Sequence, residues 1–144
     1  MFSGFDIRGR FGETLSVEYV WNVGKALADW LPQDGKIIVV KNSTANPAVV
    51  KAVIEGVRLQ GRAVVDGGEG DKAALVHIAG DDQVAGGILV GHDDLENLET
   101  IELYQETMAP ITSDTGLSEI AALVEAGNFV PAAAKGDLSI IATE

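Results

Sequence analysis

KIIVVKNSTANPAVVKAVIEGVRLQGRAVVDGG, residues 36–68, decides the fold. It opens on a short, continuous, β-branched run, Lys36 to Lys41, which suits a strand buried on both faces of a sheet. The period then becomes helical, with Asn46 as N-cap, Pro47 at the first helical position and Gly61 as the stop. Arg62 to Gly68 returns to strand and ends in a glycine turn. Strand, helix and strand in such close succession define an α/β layer with a mostly parallel sheet.

The alternation continues in both directions. Upstream, SVEYVWNVGKALADWL places Val17, Val20, Trp21, Gly24, Leu27, Ala28 and Leu31 at helical spacing behind a Ser16 cap, and Pro32 ends the helix. Downstream, DKAALVHIA reads as a short helix and VAGGILVG as a third strand. LETIELYQE alternates only in part and reads as an edge strand. LSEIAALVEAG gives a last helix stopped by Gly127. NFVPAAAKGDLSIIATE has little pattern, and no linker or repeat appears. The expectation is an α/β, three-layer single domain over residues 1–144, with a mixed, mostly parallel sheet of about four strands and helices on both faces.

Composition narrows the function. The chain has 144 residues, 47% of them hydrophobic, which is enough for a core of its own. It has no cysteine, so disulfides, thiolate metal sites and thiol nucleophiles are excluded. No apolar run approaches the roughly 18 residues of a membrane helix and no leader segment is visible, so the expected setting is cytoplasmic, away from membranes. Residues 1–72 hold nine Lys/Arg and nine Asp/Glu, whereas residues 73–144 hold only Lys135 against thirteen acids, which accounts for the net charge of −12. Such a field repels phosphate, so no nucleic-acid partner is expected.

Three stretches could carry chemistry. DGGEGDK (66–72) lacks the alternating oxygen ligands of a calcium loop and the glycine that precedes a P-loop lysine, so it reads as a strand-to-helix turn with Asp71 near the helix N-terminus. KNSTANP (41–47) lies where an open sheet meets its ligands, and Ser43 and Thr44 suit either a phosphate contact or plain turn and cap roles. GGILVGHDDL (86–95) runs a buried strand into His92, Asp93 and Asp94. His92 has no third metal ligand in view, and a polar turn is the simplest reading.

In order and spacing, FDIRGRFGETLSVEYVWNVGKAL, the 36–68 unit and GGILVGHDDLEN resemble the N-terminal domain (domain I) of the α-D-phosphohexomutases, the phosphomannomutase/phosphoglucomutase family. Phe5, Asp6, Ile7, Arg8 and Gly9 match that family's Tyr/Phe-Asp-Ile-Arg-Gly signature. The resemblance implies a phosphoserine loop after the third strand, Thr-Gly/Ala-Ser-His-Asn-Pro, from which a phosphoryl group passes to a sugar phosphate. Here Val90, Gly91, His92, Asp93, Asp94 and Leu95 take those positions, and no serine or threonine lies between Ile88 and Glu99. The family arginine after the first strand falls on KNS, with Lys41 a partial substitute, and the Asn-Gly-x-Lys lysine is lost from NLET (97–100).

The resemblance therefore implies a degenerate reaction loop with no catalytic residue and no metal ligand. A phosphate-binding remnant is expected at Arg8, Lys41 and Ser43, although Asp6 and Arg8 could equally pair to order the N-terminal loop. The expected function is that of a phosphohexomutase-like pseudoenzyme, an interaction or regulatory module that is inactive alone. The alternative is a domain of a sugar-phosphate mutase that needs further domains. The isolated chain needs no cofactor, whereas a complete mutase would use Mg2+ and hexose phosphate. Apolar surface left by absent domains makes self-association, or docking onto other mutase-like domains, the expected partnership.

Overall fold

The structure is a computed structural model that describes residues 7–32, 35–79, 84–106, 108–130 and 132–140. Its elements in chain order are β1 (Ile7–Gly9), α1 (Val17–Trp30), β2 (Lys36–Lys41), α2 (Pro47–Leu59), β3 (Val64–Glu69), α3 (Lys72–Ala79), β4 (Val84–Asp93), β5 (Leu98–Tyr104), α4 (Leu117–Ala126) and β6 (Leu138–Ile140). They build one six-stranded sheet in the order β1-β5-β4-β2-β3-β6, two strands more than the sequence suggests. β2 pairs in parallel with β3 and β4, and β3 with β6, while β5 runs antiparallel to both β4 and β1.

Local chemistry sets the helix limits. Ser16 accepts from Tyr19 N at 3.0 Å and starts α1, and Asn46 accepts from Ala48 N at 2.9 Å and starts α2 ahead of Pro47. Asp71 accepts from Ala73 N at 3.0 Å and leads into α3, but only Gly70 and Asp71 of DGGEGDK form the connection, because β3 runs on through Gly67 and Gly68 to Glu69. The far end of α1 is closed by Arg62. Its guanidinium donates to Ala28 O and Leu31 O, both at 2.8 Å, and to Gly35 O at 3.2 Å, satisfying carbonyls that have no partner within the helix.

Layering follows the strand pleat. Ile37, Val39, Val64, Ile88, Val90, Ile101 and Leu103 point into a core shared with α1, α2 and α4, whereas Ile38, Val40, Val65 and Tyr104 meet Leu75 of α3 on the opposite face. α1 and α2 approach closely because neither has a side chain at the crossing. A Cβ at Gly24 would press on the Val53 carbonyl oxygen, and one at Gly56 would overlap the backbone of Trp21.

Two expectations need correction. LETIELYQE is not an edge strand: β1, too short to leave a period, pairs Ile7 with Ile101 and puts β5 inside the sheet. The tail also carries more than its pattern suggests, since Leu138–Ile140 forms the opposite edge beside β3. It is held there by Arg58 Nε donating to Gly136 O at 2.9 Å, Gly136 N donating to Arg58 O at 2.9 Å, and Lys135 Nζ donating to Glu55 at 2.8 Å.

Candidate functional site: the carboxyl ends of β2 and β4

From β2 the chain crosses through α2 to β3 on one side, then returns through α3, over β2, to β4 on the other. The strand order thus reverses between β2 and β4. In open α/β sheets the crevice outside the carboxyl ends of two such strands is where ligands bind. Residues 42–46 and 91–97 flank it.

The polar turn expected at His92, Asp93 and Asp94 starts only at Asp94. β4 continues through Gly91, His92 and Asp93, which pair with Thr100, Glu99 and Leu98 of β5. The chain reverses over 94–97 only, with Asn97 in the left-handed region at φ 57°. Asp93 Oδ1 accepts from Leu95 N at 3.0 Å and Glu96 N at 3.3 Å, an Asx turn that fixes the reversal. Gly91 has no room for a side chain, because a Cβ there would lie 2.6 Å from Asn42 Nδ2 and 2.9 Å from Thr100 Oγ1.

The pleat sends the polar groups to opposite faces. Arg8 Nη1 donates to Asp93 Oδ2 at 3.1 Å on the face that carries α3. The two backbone donors of the turn, first that of Glu96, hold the Asp93 carboxyl below its ordinary range, and Arg8 adds to this. His92 follows Ile88 and Val90 onto the other face. Its Nδ1 is 3.1 Å from Glu99 Oε2, and its Nε2 is 3.7 Å from Asp94 Oδ1. Glu99 is 7% exposed, and its other carboxylate oxygen is buried without a hydrogen-bond partner among the described residues.

The hydrogen bond to Glu99, reinforced by the charges of Glu99 and Asp94, raises His92 above the ordinary imidazole value of 6.5. A raised folded value means stability that is complete below 6.5 and is lost as pH climbs through the raised value. The protection of amides in the 92–99 hairpin, taken relative to their intrinsic exchange at each pH, is therefore expected to fall over that interval. Glu99→Gln should bring the His92 ring titration, followed by NMR, down toward 6.5. A midpoint at or below 6.5 in the parent chain would contradict this account.

The anticipated phosphate remnant is spread out. Arg8 on β1 and Lys41 on β2 stand three strands apart, about 14 Å at the usual strand spacing. Their side chains also face different layers: Arg8 lies on the α3 face, and Lys41 lines a cavity with α2. Ser43 is exposed in the turn after β2, where Thr44 donates from both its N and its Oγ1 to Asn42 Oδ1. Phe5 and Asp6 lie outside the described residues, so the Asp6–Arg8 alternative does too. Among the described residues no three His, Asp or Glu side chains gather as a metal site. The sequence reading leaves Glu99 without this role. Its signal is the hairpin length, because a four-residue reversal after Asp93 sets His92 opposite Glu99.

The fold is a sheet with helices on both faces, closed by a tight β4–β5 hairpin beside the point where the strand order reverses. Residues 1–130 match the family described as phosphoglucomutase/phosphomannomutase, alpha/beta/alpha domain I, and the chain belongs to that family. A phosphomannomutase of Salmonella typhimurium is 32% identical over 136 residues, covering 90% of this chain and 29% of its own length. A phosphomannomutase of Klebsiella pneumoniae is 31% identical over 141 residues, covering 90% of this chain and 83% of its own. A solved phosphoglucomutase/phosphomannomutase family protein from Burkholderia thailandensis superposes with a TM-score of 0.76 at 22% identity, over 98% of this chain and 33% of that one, and supports the fold. The chain thus spans about 29% of the length of the Salmonella relative.

Proposed function

We propose that this chain is a phosphohexomutase domain I that no longer takes part in phosphoryl transfer and acts as an interaction or regulatory module, in a cytoplasmic setting. One observation carries the reading: the position that matches the nucleophile is His92, locked to a buried Glu99 in a hairpin with no hydroxyl from Ile88 to Glu99. A histidine can carry a phosphoryl group. Here, however, Nδ1 is occupied by Glu99, and Asp94 stands beside Nε2, where a dianion would have to arrive. Arg8, the cation that matches the family signature, is paired with Asp93.

The test is incubation with a hexose bisphosphate followed by intact-mass analysis under non-acidic conditions, together with a mutase assay on glucose and mannose phosphates. No adduct and no turnover above background are expected. A phosphoryl group on His92, or measurable mutase activity of the chain alone, would overturn the proposal.

The span of about 29% of a curated relative's length favours a second reading, in which the chain is one domain of a sugar-phosphate mutase. In that case hexose phosphate and Mg2+ would be handled by other domains. Adding those domains in trans and recovering activity would select it.

A further inference from the structure

Acids outnumber Lys and Arg 22 to 10 in this chain, yet among the described residues two of the lysines stand without a partner. Arg8, Arg10, Arg58 and Lys135 are ion-paired, and Arg62 holds the end of α1. Lys25 and Lys72 lie over aromatic rings, and Lys36 also has a polar or electrostatic partner. Among the described Lys and Arg residues, only the side chains of Lys41 and Lys51 have neither an ion pair, a hydrogen bond nor a ring contact. Both line the same cavity, about 410 Å³, between α2 and the carboxyl-end side of β2 and β3.

Its walls match an anion with an apolar body. Val50, Ile54, Pro47 and Leu138 supply apolar surface. Two carboxylates border the cavity, and Glu55 already has cationic partners of its own. Glu55 is bridged by Arg58 at 3.0 Å and Lys135 at 2.8 Å, and Asp66 Oδ1 accepts from Gly68 N at 2.9 Å. Glu69 stands opposite Lys41 in register without forming an ion pair with it. The volume falls within the range of small-molecule sites, about 300–1,000 Å³.

We propose that this cavity binds a small phosphomonoester whose organic part is apolar, with Lys41 and Lys51 facing the phosphate and Val50, Ile54 and Leu138 covering the rest. The site lies on the α2 face, opposite to the face of the Arg8–Asp93 pair.

The experiment is an NMR titration of the full chain with phenyl phosphate, inorganic phosphate and glucose 6-phosphate. Phenyl phosphate should move the Val50, Ile54 and Leu138 methyl signals saturably, and should bind more tightly than the other two. Lys41→Gln and Lys51→Gln should each weaken it by roughly tenfold, the usual effect of removing one charged hydrogen-bond donor. Both lysines are surface positions, and unchanged circular dichroism would show the variants to be folded. The absence of saturable shifts, or equal affinity in the double variant, would overturn the site. Tighter binding of glucose 6-phosphate than of phenyl phosphate would overturn the apolar assignment.

Discussion

Gly56→Ala is expected to lower the unfolding free energy by about 3 kcal/mol, the upper part of the range for overpacking a tight contact. An added Cβ at Gly56 meets the carbonyl oxygen, carbonyl carbon and Cα of Trp21, all backbone, so no rotamer change relieves it and α1 must move away from α2. The same helices carry Val20, Val23, Leu27, Val49, Val53 and Val57 in the main core, and separating them loosens all of those contacts. For a chain of this size the loss corresponds to a fall in Tm of roughly 10 °C. Gly127→Ala is the comparison: φ is +65° there and nothing lies within 4 Å of the new Cβ, so only the backbone cost of about 1 kcal/mol applies. Equal stability of Gly56→Ala and the parent chain in thermal unfolding would refute the close crossing.

Arg62→Ala is the second large effect, about 3 kcal/mol. The side chain donates to three carbonyls at the end of α1 and in the turn that leads into β2. Each charged hydrogen bond contributes about 1.5–3 kcal/mol, and the three share one guanidinium, so their effects do not add in full. Arg62→Lys should restore less than half, because an ammonium cannot reproduce the planar fork that reaches both Ala28 and Leu31. Urea titration checks both variants. Full recovery with lysine would show charge near the helix end, rather than the fork, to be the cause.

What the sequence reveals divides by range. β2, α2 and β3 are legible because each signal is local: a β-branched run, an Asn-Pro cap, a glycine stop. β1 and β6 are not, because three residues carry no period and both strands exist only through distant partners, Ile101 for Ile7 and Val64 for Leu138. The misplacement of β5 follows from the loss of β1. At the site, the loop's position and its missing hydroxyl can be read directly. The Arg8–Asp93 pair cannot, since it joins the first strand to the fourth across β5. The unpartnered state of Lys41 and Lys51 is hidden as well, because it depends on where every carboxylate lies.

Those two outer strands also impose an order on folding. The β2–α2–β3 unit closes over short loops, whereas Ile7 must find Ile101 and Leu138 must return to Val64 across most of the chain. Long closures are slow, so the central strands pair before the margins do. Until β1 and β6 dock, β5 and β3 present open hydrogen-bonding edges that can recruit a strand from another molecule. The clamp of Arg58, Gly136 and Lys135 on the tail holds β6 over that edge of β3 in the folded chain.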